Sequence, residues 1–266
     1  MAGDPTVGHK ERVQAQFAAS AEAYVVSAGH AMGDDLAQLV AWAEGGPEKV
    51  ALDVATGAGH TALALAPLYG RVVASDLTER MLATAEAFIR GKGVANVEFR
   101  RADAERLPFG DAEFDAVSCR IAPHHFGDVA RFVAEVARVL KPGGLFLLED
   151  SVAPDEPELA DFLNRAETLR DETHVRSLGA REWRVLLAGA GLQVEDERAF
   201  PKTHPFAAWV ARARTPADRA AELAALFREA PPRAREALAI DVSPTGEVLS
   251  YTDRKIVFKA RKTGAG

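Results

Sequence analysis

The sequence predicts an α/β fold: a mostly parallel, doubly wound sheet covered by helices on both faces, with helical segments over the strand ends. Three observations carry this. Between 49 and 149, short apolar runs alternate with amphipathic helical patterns, the rhythm of parallel strands joined by crossover helices. Glycine- and proline-rich stops separate the elements, as at Gly45-Gly46-Pro47 and Pro142-Gly143-Gly144. The first apolar run leads straight into two glycines one residue apart, Gly57 and Gly59, which reads as strand, tight turn and helix start.

The elements follow in order. The first 46 residues read as helical, with Val13, Phe17 and Tyr24 at roughly helical spacing and then Leu36, Leu39, Val40 and Trp42. Lys49–Val54 is the first strand, Thr61–Tyr69 a helix and Arg71–Ser75 the second strand. Thr78 stands where a helix through Arg90 needs its N-cap, and Met81, Leu82, Ala85, Phe88 and Ile89 form that helix's apolar face. Val97–Arg101 and Phe114–Cys119 are the third and fourth strands. Val129, Phe132, Val133, Val136 and Leu140 mark the next helix, and Leu145–Glu149 the fifth strand. Beyond 150 the rhythm changes. Residues 155–176 look helical and charged, Arg181–Ala190 is a helix, Leu192–Phe200 the sixth strand, 205–240 helical and Ala-rich, and Ser250–Lys259 the last strand. A single compact domain is expected: lid helices over 1–46, a ligand-binding core over 47–150, and over 151–266 the rest of the sheet with cap inserts at about 155–178 and 205–240.

Composition narrows the partners. With 27% charged and 48% hydrophobic residues the chain is ordinary globular protein. The formal charge of −7 and the lack of a basic run argue against nucleic acid. The one cysteine, Cys119, forms no internal disulfide and fits a reducing cytoplasm. Met1–Lys10 holds no apolar core and no run of about 18 apolar residues occurs, so neither a signal peptide nor stable membrane insertion is expected. The histidines show no ligand spacing with cysteine or acids, so no metal is expected. A monomer or homodimer acting on a small molecule fits these bounds.

In a sheet of this kind ligands lie beyond the carboxyl ends of the strands. Asp53, Asp76, Asp103, Arg120 and Asp150 fall there. In the loop Asp53–Ala62, glycine removes the Cβ that would keep a ligand off the backbone, and the helix start behind it offers unpaired N–H groups. The loop alone does not choose the ligand. Gly57-x-Gly59-x-x-Ala62 also satisfies the dinucleotide pattern, and Asp76 stands 17 residues past Gly59 where that pattern expects an acid about 20 on. A nicotinamide-dependent oxidoreductase stays open at this point.

Further segments are more specific: Arg71-Val72-Val73-Ala74-Ser75-Asp76, then Arg101-Ala102-Asp103-Ala104-Glu105-Arg106-Leu107-Pro108-Phe109, Phe114-Asp115-Ala116-Val117, and Glu135-Val136-Ala137-Arg138-Val139-Leu140-Lys141-Pro142-Gly143-Gly144. With the glycine loop they resemble the class I S-adenosylmethionine (SAM) methyltransferases, and within them the ubiquinone/menaquinone-biosynthesis type. The resemblance covers about 49–149, and more loosely the N-terminal helix and Leu169–Arg176. It implies a Rossmann-like, seven-stranded sheet with an antiparallel last strand and a helical lid. It implies SAM as cofactor and S-adenosylhomocysteine as product. Gly57 and Gly59 would admit the methionine part, and Asp53 would lie near its ammonium. Asp76 would hold the ribose, and Asp103 with the Ala104 backbone would receive the adenine amino group. Tyr24 would reach the carboxylate from the lid, and Ala55, Leu77, Met81 and Arg120 would complete the cofactor contacts. Each acid keeps a local alternative: Asp53 as a helix cap, Asp76 as a turn residue, Asp103 as a loop acid.

Methyl transfer from SAM is an in-line displacement, so orientation supplies much of the catalysis, about 7–11 kcal/mol of barrier. His124 and His125, after the fourth strand, are candidate bases, with loop architecture as the alternative. Arg170 and His174 are four apart and share a predicted helix face, either binding a polar or anionic acceptor or forming a solvated lid surface. Phe17, Phe126, Phe162, Phe206 and Trp209 are candidates for an apolar acceptor pocket. The expected activity is SAM-dependent C- or O-methylation of a small molecule, with quinols and phenols as natural acceptors to test. A SAM-binding protein that transfers no methyl group (sensor, scaffold or cyclase) is the alternative. An NAD-dependent oxidoreductase accounts for the glycines but not for the Leu107-Pro108-Phe109 or Lys141–Gly144 segments.

Overall fold

The computed structural model describes residues 5–25 and 33–264, with side chains over 8–18 and 33–264. Five strands run parallel: β1 (Gly46–Val54), β2 (Tyr69–Asp76), β3 (Val97–Arg101), β4 (Phe114–Arg120) and β5 (Leu140–Val152). The sheet order is β3-β2-β1-β4-β5-β8-β6, where β6 is Leu192–Pro205 and β8 is Val248–Lys262. β8 is antiparallel to both of its neighbours, and a two-residue β7 (Asp241–Val242) pairs with β8. The chain winds outward from β1 in both directions, so a crevice opens at the ends of β1 and β4.

The helices are α1 (Pro5–Val25), α2 (Asp34–Trp42), α3 (His60–Leu65), α4 (Glu79–Gly91), α5 (Val129–Val139), α6 (Pro157–Arg170), α7 (Ala180–Gly189), α8 (Phe206–Ala213), α9 (Ala217–Arg228) and α10 (Pro232–Ala237). Successive strand residues point to opposite faces, and each face has its own core. Leu52, Val54 and Val117 pack with Phe132 and Val136 of α5 and with Trp183 and Leu187 of α7. Ala51, Val72 and Ala74 pack with Leu39 of α2, Leu65 of α3 and Ile89 of α4. A third core closes the cap. There the ring of Phe227 lies 5.1–6.1 Å from those of Phe162, Phe206, Trp209 and Tyr251. Among the described residues no helix is long and apolar enough to cross a membrane.

Several boundaries differ from expectation, each for a local reason. The helix expected to reach Tyr69 stops at Leu65, because Pro67 cannot continue it. Tyr69 instead opens β2 and is buried. Lys141–Gly144 belongs to β5 rather than to a turn before it: Leu140 already pairs with Phe114, and the register then shifts before Ala116 meets Leu145. The helix expected over 155–176 ends at Arg170, where Asp171 is extended and its side chain accepts the Thr173 N–H at 2.9 Å. Arg170 and His174 therefore do not share a helix face. β6 runs on to Pro205 because β8 pairs along its whole length, and the sheet has eight strands with β7 where seven were expected.

Candidate functional site

One cleft lies over the ends of β1, β2 and β4, bounded by α1 on one side and by α6 and α8 on the other. Counting its open mouth, it holds about 1730 Å³ of space between atoms.

β1 ends in Asp53, which is 1% exposed. Its carboxylate accepts the Thr56 hydroxyl at 2.6 Å and the Ser118 hydroxyl at 2.7 Å. Burial pushes its pKa up to about 6, opposed by those two hydroxyls and by Arg120. The chain then turns through left-handed backbone at Ala55 (φ 53°) and Gly57 (φ 56°). A Cβ on Gly57 would meet nothing within 4 Å, so this backbone faces open cleft. Its N–H donates to Asp76 at 3.0 Å, and the other Asp76 oxygen accepts the Thr78 N–H at 2.8 Å. Burial raises the Asp76 pKa as well. Gly59 is different. It does not line the cleft, and a Cβ there would meet Ile89 at 2.9 Å and Ala85 at 3.1 Å. Its lack of a side chain serves the packing of α4.

Past β3, Asp103 accepts the Glu105 N–H at 3.0 Å. Lys10 of α1 reaches both acids, with Nζ 2.7 Å from Asp103 and 2.6 Å from Glu105. The same helix donates from Gln14 to the Leu77 carbonyl at 3.0 Å and from His9 to the His125 carbonyl at 2.9 Å. Leu77, Met81 and Ala104 line the cleft beside these groups. Tyr24 lies on α1, but its side chain is outside those described.

Arg120, at the end of β4, is a hub. Its Nε donates to the Thr61 hydroxyl at 3.1 Å, and a terminal nitrogen stands 3.5 Å from both Asp35 of α2 and Glu149 of β5. Glu149 is wholly buried. Burial pushes its pKa up to about 8, against the pull of Arg120. Between the ordinary value of 4.5 and 8 the folded protein thus keeps a proton that the unfolded chain releases, so stability falls as pH rises through that window. Glu149→Gln is expected to flatten this fall. Melting temperatures at pH 5 and pH 8 check it, and an equal drop in variant and parent would rule out Glu149 as its source.

Three histidines meet where β4 and β5 face α6. The His124 and His125 rings lie 4.2 Å apart, with His174 5.6 Å from His124. Their hydrogen bonds fix where the protons sit. His124 Nδ1 donates to Asp150 at 2.6 Å, His125 Nδ1 donates to the Thr173 carbonyl at 3.0 Å, and His174 Nε2 donates to Asn164 at 3.0 Å. Burial, with His124 adding to it, drives the His125 pKa well down and that of His174 to about 4, so both are neutral at pH 7. Among the described residues no three His, Cys, Asp or Glu side chains are grouped as a metal site.

The far end of the cleft is built from α6, α8, β6 and β8. Arg170 donates to Glu167 at 3.1 Å and stacks 4.9 Å over the Trp209 ring. Buried Lys255 binds Asp253 at 2.9 Å and the Ser151 hydroxyl, and Asp253 also holds His204 at 3.0 Å. Phe17, Phe126 and Trp209 line the cleft, whereas Phe162 and Phe206 are spent in the cap core, which corrects two of the five expected pocket aromatics.

The chain is 38% identical over 246 residues to the uncharacterized methyltransferase YcgJ of Bacillus subtilis, covering 92% of this chain and 97% of that protein. The chain belongs to the methyltransferase family. A methyltransferase-domain family model matches residues 52–148 of this methyltransferase, the span that carries Asp53, Asp76, Asp103 and His124. A solved structure from Bacillus halodurans, described as a candidate methyltransferase, superposes with a TM-score of 0.84 at 41% identity, covering 87% of this chain and all of that one. A demethylmenaquinone methyltransferase of Chlorobaculum parvum is 39% identical over 115 residues, 43% of this chain and 46% of that protein.

The cleft of the methyltransferase thus gathers the expected site residues whose side chains are described, except Gly59, Asp150, Phe162 and Phe206. Arg170 and His174 reach it although the helix between them ends. Sequence reasoning missed Lys10, Asp35, Glu149 and Lys255. Lys10, Asp35 and Glu149 act through partners distant in the chain, and Lys255 pairs both with Asp253 two residues away and with the distant Ser151.

Proposed function

We propose that the cleft binds SAM across the ends of β1–β4 and that a small-molecule acceptor occupies its far end. The observation that carries this is the open Gly57 backbone ringed by Asp53, Asp76 and Asp103. A Cβ would project into that cradle, and the buried carboxylates of Asp53 and Asp76, with the half-buried Asp103, face a ligand rich in donors and net positive at its sulfonium. SAM supplies a methyl group on a sulfur that leaves readily. The chain's residues hold and orient it. The lone pairs of Asp76 left by the Gly57 and Thr78 amides receive the ribose hydroxyls, Asp103 and the Ala104 backbone take the adenine amino group, and Asp53 lies toward the ammonium. Ala55, Leu77 and Met81 shape the walls. Arg120 holds the strand ends together through Asp35 and Glu149.

His124 is the base of this proposal. Its Nδ1–H is committed to Asp150, so Nε2 carries the lone pair that takes the acceptor's proton, and the Asp150 carboxylate stabilises the imidazolium formed. The acceptor is therefore a hydroxyl or an acidic carbon, with quinols and phenols as the first compounds to assay by S-adenosylhomocysteine release. Calorimetry with SAM and S-adenosylhomocysteine tests the cofactor half, and no binding of either at millimolar concentration would sink it. Asp76→Ala is expected to weaken cofactor binding by about 1.5–3 kcal/mol. Unchanged affinity would remove Asp76 from the site.

A further inference from the structure

The two ends of the cleft carry opposite charge. At the proposed cofactor end the acids Asp53, Asp76, Asp103 and Glu105 face only Lys10 and Arg120 among the lining Lys and Arg side chains. At the far end Arg170, Lys202, Arg212 and Lys255 line the wall with the acids Glu167 and Asp171. Arg170 is paired with Glu167 and Lys255 with Asp253. These acids hold their charge: nearby Arg170 keeps the Glu167 pKa at about 2, and Lys255 and His204 hold Asp253 below the usual carboxylate range. Lys202 and Arg212 have no hydrogen bond or ion pair among the described residues. Lys202 lies on β6 two residues before His204, and Arg212 on α8 one turn beyond Trp209. Each alternates or rotates onto the same wall as its cleft-lining neighbour. A further donor lies in the cleft on the His174 side, where Ser177 is bonded through its backbone to Asn164: the Ser177 side chain is buried and its hydroxyl has no hydrogen-bond partner among the described residues. A buried hydroxyl without a partner is costly, and a polar ligand atom would satisfy it.

We infer that the far end of the cleft is an oxyanion chamber, and that the methyl acceptor carries a carboxylate or phosphate bound by Lys202 and Arg212 beside the Arg170–Trp209 stack. This rests on the proposed SAM site for its role in methylation, but the chamber's anion binding is a separate property. The two cations, unpaired among the described residues, supply the charge complement. Arg212 offers a planar fork for a bidentate oxyanion, while Lys202 is a point charge. The buried Trp209 ring, covered by Arg170, backs this wall and leaves the methylated group toward His124.

The test is a calorimetric titration of the full-length protein, with and without saturating S-adenosylhomocysteine, using benzoate, phenyl phosphate and the neutral benzamide. Benzoate or phenyl phosphate is expected to bind at least tenfold more tightly than benzamide, and comparing the two anions tells carboxylate from phosphate. The Lys202→Gln/Arg212→Gln double variant is expected to lose about tenfold in anion affinity with S-adenosylhomocysteine affinity unchanged. Both positions are at the cleft wall rather than in a core, and the comparison of anion with amide in the parent protein stands whether or not the variant folds. Equal binding of anion and amide, or an anion affinity untouched in the folded double variant, overturns the chamber. Failure of S-adenosylhomocysteine to bind overturns the cofactor site instead, and the anion titration alone still decides the chamber.

Discussion

His124→Ala is expected to lower kcat by about 10²–10⁴-fold, the range of a positioned proton-transfer group, while leaving S-adenosylhomocysteine affinity near that of the parent. The split follows from geometry. His124 touches Asp150 and lies against His125 and His174, and none of its hydrogen bonds runs to the Gly57 cradle. Asp150 is a positioning residue: Asp150→Asn removes the charge behind the imidazolium and frees the ring to adopt the other tautomer. Its loss should appear in kcat with KM little changed. His125→Ala provides the contrast. Its ring is neutral and anchored to Thr173, and its neighbour is the residue with a carboxylate behind it, so the kcat loss should be far smaller. Single-turnover rates with any acceptor identified by the panel measure all three. Equal losses for His124→Ala and His125→Ala would dismiss the base and leave a merely architectural loop.

Phe227→Ala is expected to cost about 3–5 kcal/mol of stability, the usual range for removing a buried aromatic side chain. Phe227 is fully buried at the centre of the cap core and meets four aromatic rings at 5.1–6.1 Å. The rings are large and come from three separate elements, α6, α8 and β8, so they cannot all close into the space left. Because α6 and α8 present Arg170 and Trp209 to the cleft, the same variant should weaken acceptor binding more than cofactor binding. Urea unfolding followed by far-ultraviolet dichroism gives the stability change. A loss under about 1 kcal/mol would mean that the cap repacks around the gap.

Parts of this architecture were legible because they are local. The glycine loop, the acids at the strand ends and the apolar face of α4 are set by residues within one turn or one strand of each other, and the structure keeps Met81, Leu82, Ala85 and Ile89 buried together. Two boundary errors had local signals that the apolar pattern outweighed: Pro67, which ends α3, and Asp171, whose side chain bonds the backbone two residues on and ends α6. The rest was beyond sequence reading in principle. Lys10 and Asp103 are 93 residues apart, and Arg120 and Asp35 are 85 apart. An ion pair between distant segments leaves no period and no spacing. Arg170 and His174 were singled out for a helix face they do not share, and they meet in the cleft because the chain folds back after Asp171.

The Lys10 bridge to Asp103 and Glu105 has a kinetic meaning. It latches α1 across the mouth of the cleft by an ammonium and two carboxylates that water still reaches, with Lys10 and Asp103 about 30% exposed (27% and 31%). Such a latch is weak enough to open in thermal motion and is screened by salt. Added salt is therefore expected to loosen the hold of α1 on the cleft mouth, and with it to raise the rate at which a ligand enters or leaves.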